Sequence, residues 1–175
     1  MSNVSAALVP GVSEHDHVRG SGGPTLLVFG DYECPYTRAA YRNVQALEAQ
    51  SVPFRFVFRH FPLVEIHPHA LAAAEASEAA AAQGRFWPLH DLLFRHQRAL
   101  EGADLERYVE EIGLDVERFR QEVAAHAHLD RVKADRSSAL ASGATGTPTI
   151  FVDSLRYSGS YERAELGEAL AARAA

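Results

Sequence analysis

Sulfur is scarce in this 175-residue chain: there is one cysteine, Cys34, and one methionine, Met1. A lone cysteine has no intramolecular disulfide partner, so a disulfide-stapled scaffold and an all-cysteine zinc site are both excluded. Lysine is nearly absent as well, with Lys133 the sole lysine among 17 basic residues. Against these stand 23 acidic residues, and the net charge of −6 argues against nucleic acid or an anionic membrane as the main partner. No stretch reaches the roughly 18 apolar residues of a membrane span, and residues 1–23 lack the basic start and apolar run of a secretory signal, so a cytoplasmic setting is expected. P-loop, G-x-S-x-G and G-x-G-x-x-G motifs are missing, which removes the common phosphate-binding and serine-hydrolase readings. The remainder, 47% hydrophobic and 23% charged, is the composition of a globular chain long enough for one domain, and its many alanines favour helix.

Residues 1–23 mix Ser, Gly, His and Asp without periodicity and read as a flexible segment ahead of a single domain over 24–175. Thr25 to Phe29 is an unbroken apolar run, suited to a strand buried on both faces. Pro35 starts a helix reaching about Gln50, with Tyr36, Ala40, Val44 and Leu47 at helical spacing. A second strand covers Phe54 to His60, its phenylalanines alternating with Arg55, Val57 and Arg59. Strand, helix and strand make a right-handed βαβ unit. Five helices then follow: Ala70–Gln83, Phe86–Arg98, one capped by Asp104, one capped by Asp115 and one over Leu129–Ala141. Two short strands around Asp153-Ser154 form a hairpin, and a helix from Arg163 closes the chain. The string is α/β: βαβ and ββα halves of one sheet, with an all-helical insertion at about 62–143.

Cys34 lies where the first strand turns into the first helix. Open α/β sheets place their chemistry at the C-terminal edge of such a strand. The unpaired backbone N–H groups of a helix start also stabilise an anion there, so a thiolate is favoured. The competing reading is an inert buried thiol.

Several motifs then converge. Asp31-Tyr32-Glu33-Cys34-Pro35-Tyr36 resembles the active-site turn of the DsbA-like branch of the thioredoxin superfamily, which reads D-[FY]-x-C-P-x-C. Gly146-Thr147-Pro148-Thr149-Ile150-Phe151 resembles that superfamily's cis-proline loop. Arg59 to Leu63, His67 to Ala70 and Gly84 to Asp91 resemble further signatures of the branch. The match spans roughly Thr25 to Tyr161 and is similar to the thioredoxin-like domains fused to some bacterial sodium/proton antiporters. The resemblance implies a thioredoxin fold with the helical insertion, and Cys34 as attacking thiol. It also implies that Pro148 is a cis-proline facing the thiol, that the Thr147 backbone receives an extended substrate, and that Pro35 and Tyr36 border it.

One position departs from the family. The residue three after the nucleophile is Thr37, where a dithiol enzyme carries its second cysteine. Thr37 cannot resolve a mixed disulfide, though its hydroxyl, one helical turn on, is placed to donate a hydrogen bond to the thiolate. The expected function is therefore monothiol exchange with protein or small-molecule disulfides. No cofactor is expected to be bound, and an external thiol such as glutathione or bacillithiol would act as co-substrate. The alternatives are a redox-inactive thioredoxin-fold binding module and a kappa-type glutathione transferase.

Nine histidines invite a metal reading. His67-x-His69 and His126-x-His128 have poor geometry for it, because helical residues two apart point in different directions. No metal is expected. His60 is expected to be a core or solvated histidine, and Phe86 to Phe94 the core of the helical insertion.

Overall fold

In the computed structural model, which describes residues 6–174, the apolar run becomes the centre of a sheet. Strand β2 (Thr25–Gly30) is fully buried and pairs in parallel with β3 (Arg55–His60) on one side. On its other side it pairs antiparallel with β4 (Thr149–Val152), which in turn pairs with β5 (Leu155–Tyr157). Asp153 and Ser154 close that hairpin with φ of 47° and 69°, the left-handed geometry of a two-residue hairpin turn.

Strand β1 (His17–Arg19) completes the order β1-β3-β2-β4-β5. It pairs antiparallel with β3 and corrects the expectation of a flexible segment through residue 23. Three residues of edge strand carry no readable alternation, and charge anchors them. Arg59 grips Asp16 through two nitrogens at 2.7 and 2.8 Å, both side chains almost fully buried. Arg19 binds Glu48 at 2.8 Å and Asp91 at 3.0 Å while its guanidinium lies over Trp87. Leu8 is buried as well, whereas residues 1–5 lie outside the described residues.

Helix α1 (Pro35–Ala49) has Pro35 in its first turn and buries Thr37, Ala40, Tyr41, Val44 and Leu47, one stripe at 3–4 residue spacing. That stripe begins at Thr37. Tyr36, expected on it, points outward and is 64% exposed. The insertion contains α2 (Ala70–Ala82), α3 (Phe86–Arg95), α4 (Gly102–Glu111), α5 (Val116–Ala124) and α6 (Leu129–Ala141), and α7 (Arg163–Ala174) follows the hairpin. Helix α3 stops at Arg95 rather than Arg98. Asp104 is not the cap of α4 but its third residue, completing a capping box with Glu101. Asp115 does cap α5, accepting from the Arg118 amide.

Because β2 is buried on both faces, its alternate residues enter two cores. Leu26 and Val28 join Phe56, Phe58 and residues of α1 to α5 and α7. Leu27 and Phe29 join Val57, Phe151 and Ala139 of α6 on the opposite face. Phe86, Leu89, Leu92, Leu93 and Phe94 are core residues of the first cluster, as expected for the insertion. No helix among the described residues is long and apolar enough to cross a membrane.

Candidate active site around Cys34

The site is built at the C-terminal end of β2. Gly30 ends the strand, and a side chain there has no room: a Cβ would stand 2.5 Å from Phe58 and 2.7 Å from Thr37. Absence of that atom lets the first turn of α1 come down onto the sheet. Asp31, buried, then organises the turn. One carboxylate oxygen accepts from the Glu33 amide at 2.7 Å; the other accepts from the Leu63 amide and from His67 Nδ1, both at 2.8 Å. Glu33 in turn accepts from the His69 amide at 2.7 Å. His67 and His69 thus tie the segment after β3 to the turn that carries the cysteine.

Cys34 is the N-cap residue of α1, with extended backbone (φ −73°, ψ 120°) and no side-chain capping bond. Its residue is 3% exposed, and the thiol donates to the Thr147 carbonyl at 3.4 Å. The Thr147–Pro148 peptide is cis, and the loop is braced by Thr149 Oγ1 donating to the Gly146 carbonyl at 2.8 Å. The Thr147 hydroxyl is buried without a partner. Cys34 and Thr147, 113 positions apart in sequence, are therefore brought together. Pro148 is half-buried in the same loop, while Pro35 and Tyr36 stand exposed on the helix start.

Thr37 is fully buried under the turn. Its hydroxyl oxygen accepts from the Asp31 amide at 3.4 Å, and its methyl meets Gly30. The partner found for this hydroxyl is thus the backbone of the turn, whereas the sequence pointed it at the sulfur. Thr37 steadies the turn from below.

Two contributors were not foreseen. Gln97, in the segment after α3, donates from one amide nitrogen to the carbonyls of Tyr32 (2.8 Å) and Cys34 (2.9 Å), clamping the turn from the helical insertion. Nothing in the spacing of Gln97 marks it. Tyr32 is buried beneath the turn and pairs with His90 Nδ1 at 2.8 Å. Burial pushes the Tyr32 phenol well above its ordinary range and holds the His90 imidazole well below its own, helped by the positive Arg19, so the pair is neutral. The positions of Tyr32 and His90 in two family-like motifs were the available signal.

His60 is a core histidine. Its Nε2 pairs with Glu78 at 2.7 Å, and Glu78 also takes His17 at 2.8 Å. Asp135 accepts from the His60 amide at 3.0 Å and from Arg131. His60, Glu78 and Asp135 present ligand-type atoms within 4.8 Å of one another. Their polar atoms are largely engaged by this network, which joins β3, α2 and α6. His126 pairs with Glu75 and His128 with Glu122, each apart from this group.

A parallel βαβ with an antiparallel hairpin beside it, a helical insertion, and a cysteine at the first helix start facing a cis X-Pro loop define the thioredoxin-fold class. The comparisons agree. A family model described as thioredoxin matches residues 14–172, and the chain belongs to that family. Among similar solved structures are a thioredoxin-like oxidoreductase of Silicibacter pomeroyi (TM-score 0.80, 28% identity, 91% of this chain and 92% of that one) and the thiol–disulfide exchange protein α-DsbA2 of Wolbachia pipientis (TM-score 0.79, 17% identity, 91% and 88%), the latter a likeness of fold. Among curated proteins, the Na(+)/H(+) antiporter NhaA 3 of Salinispora tropica is 43% identical over 165 residues, which are 93% of this chain and 25% of that protein. The chain thus spans about a quarter of the length of that relative.

Proposed function

We propose that the protein is a monothiol disulfide oxidoreductase. The observation that carries this reading is the placement of Cys34, the chain's one thiol, at the start of α1 against the Thr147 carbonyl of the cis-proline loop. The Cys34 thiolate attacks one sulfur of a disulfide, R–S–S–R′. The Cys34–S–S–R bond forms and R′S⁻ leaves. A low-molecular-weight thiolate, of the glutathione or bacillithiol kind, then attacks the R sulfur of the adduct and returns the Cys34 thiolate. Helix-start N–H groups favour the anion in both steps. Loss of the thiol proton releases the Thr147 carbonyl, making it available to an extended substrate. Cycling through an external thiol suits a cytoplasmic setting, where such thiols are reduced.

The deciding experiment is intact-mass spectrometry after exposure to glutathione disulfide. A single adduct on Cys34, reversed by reduced glutathione and absent in Cys34→Ser, is expected. The near-complete burial of Cys34 favours a second reading, a redox-inactive binding module, and an unmodified protein with the fold intact would count for that reading and against monothiol exchange.

A further inference from the structure

Arginine is this protein's main cation, and most of the buried or bridging arginines have acidic partners: Arg19, Arg59, Arg107, Arg118, Arg120 and Arg131 all form ion pairs. One group does not. Arg38 and Arg42 on α1, and Arg95 at the end of α3, line a cleft of about 180 Å³, and none of their guanidinium groups has an ion-pair or hydrogen-bond partner among the described residues. Arg38 Nε is moreover buried with no partner at all. The one acid in the cleft, Asp91, is already taken by Arg19 at 3.0 Å and by the Tyr41 hydroxyl. Arg38 and Arg95 also line an adjoining hollow of about 330 Å³ with Gln97 and Arg98, and Arg98 is likewise unpartnered.

Guanidinium groups held together beside a single carboxylate that is already paired repel one another, and an anion relieves this, most of all at the half-buried Arg38, since Arg42 and Arg95 are exposed. A planar guanidinium pairs with a carboxylate through two parallel N–H bonds, more strongly than a lone ammonium does. Position ties this cleft to the thiol. Arg38 follows Cys34 by one turn of α1, its amide making the ordinary helical bond to the Cys34 carbonyl at 3.1 Å, and Gln97, which lines the adjoining hollow, donates to that same carbonyl at 2.9 Å. Gln97 also borders a third hollow, where three acids, Glu33, Glu101 and Asp104, outnumber Arg98 and His69. Anionic ligands are therefore directed to the arginine side. For a protein of net charge −6, a local basic cleft also overcomes the general repulsion of an anionic substrate.

We infer that the Arg38–Arg42–Arg95 cleft is a carboxylate-binding subsite, and that the disulfide or thiol exchanged at Cys34 is a small molecule bearing carboxylates. The second half rests on the monothiol reading above; the first does not.

The test uses three symmetrical disulfides of similar size: 3,3′-dithiodipropionate (anionic), 2-hydroxyethyl disulfide (neutral) and cystamine (cationic). Rates of adduct formation at Cys34 should fall in that order, the anionic exceeding the neutral by about tenfold or more at low salt. The preference should shrink as ionic strength rises to about 0.5 M. In the triple variant Arg38→Gln, Arg42→Gln, Arg95→Gln the ratio of anionic to neutral rate should drop to about one. In parallel, dithiodipropionate binding to Cys34→Ser is measured by isothermal titration, with and without the three glutamines. Binding that the glutamines abolish supports the subsite even where Cys34 proves unreactive to all three disulfides, a result that sinks only the monothiol reading. Measurable but equal rates for the three disulfides, or binding to Cys34→Ser that is absent or indifferent to the arginines, overturns the subsite.

Discussion

Position 37 decides which chemistry the active-site turn can perform. N-cap and N3 side chains face one another across the first turn of a helix, so residues 34 and 37 stand in the geometry of a C-x-x-C pair. Thr37→Cys should let the new thiol oxidise with Cys34 and raise insulin-reducing activity above that of the parent protein. The swap exchanges a hydroxyl and a methyl for a thiol in a fully buried site, and the stability change should stay within about 1 kcal/mol. Free-thiol titration after mild oxidation reads the first outcome, and turbidity of reduced insulin the second. A pair that oxidises but leaves insulin untouched would mean that the surface around the thiol accepts small disulfides rather than proteins.

At the scale of elements, the junction of β2, α1 and β3 depends on how closely α1 approaches the sheet. Gly30 sets that approach, since any Cβ there collides with Phe58 and Thr37. Gly30→Ala should therefore push the start of α1 outward, lowering stability by about 1–3 kcal/mol and slowing Cys34 modification by glutathione disulfide. Urea unfolding and adduct kinetics measured on the same preparation check both effects, and a variant as stable and as reactive as the parent would show that α1 is not seated by this contact. The N-terminal strand makes a second element-scale case. Asp16 and Arg59 are both almost fully buried and paired through two bonds, so Asp16→Ala leaves an uncompensated guanidinium and should cost about 3–5 kcal/mol. Restoration by Asp16→Ala with Arg59→Leu, which removes both charges, distinguishes the ion pair from loss of the strand itself.

For the whole molecule the same buried charges set the response to acid. Burial holds the His90 imidazole well below its ordinary value, so the folded protein takes up its proton less readily than the unfolded chain. Its contribution to stability is complete above about pH 6.5 and declines below it, by about 1.4 kcal/mol per pH unit for one proton. Burial alone would raise the carboxyls of Asp16 and Glu78, but Arg59 outweighs it for the first, and His17 and His60 for the second, leaving both low. Their contribution is present above about pH 4 and is lost as acidity increases further. Melting temperature scanned from pH 8 to pH 4 should therefore fall throughout the range below about 6.5. The double variant Tyr32→Phe, His90→Leu removes both members of the neutral pair and should flatten the upper part of that fall by about one proton's slope. An unchanged slope would place the titrating group elsewhere.

Local pattern alone was enough to locate β2, α1 and β3, the hairpin with its turn at Asp153-Ser154, the bounds of α6 and the cap at Asp115, because apolar periodicity, Pro35 at a helix start and a capping aspartate are each encoded within a few residues. The same locality put Cys34 at a strand-to-helix turn. The rest depends on pairs far apart in the chain. Cys34 meets Thr147 across 113 positions, Gln97 reaches back 63 to the Cys34 carbonyl, and Arg59 reaches 43 to Asp16. Such contacts leave no periodic trace, and a charge-held edge strand or a cleft between α1 and α3 is silent in a single sequence. Thr37 shows the division most plainly: its identity excludes a second thiol, but only packing against Gly30 and the Asp31 amide decides that it supports the turn from beneath.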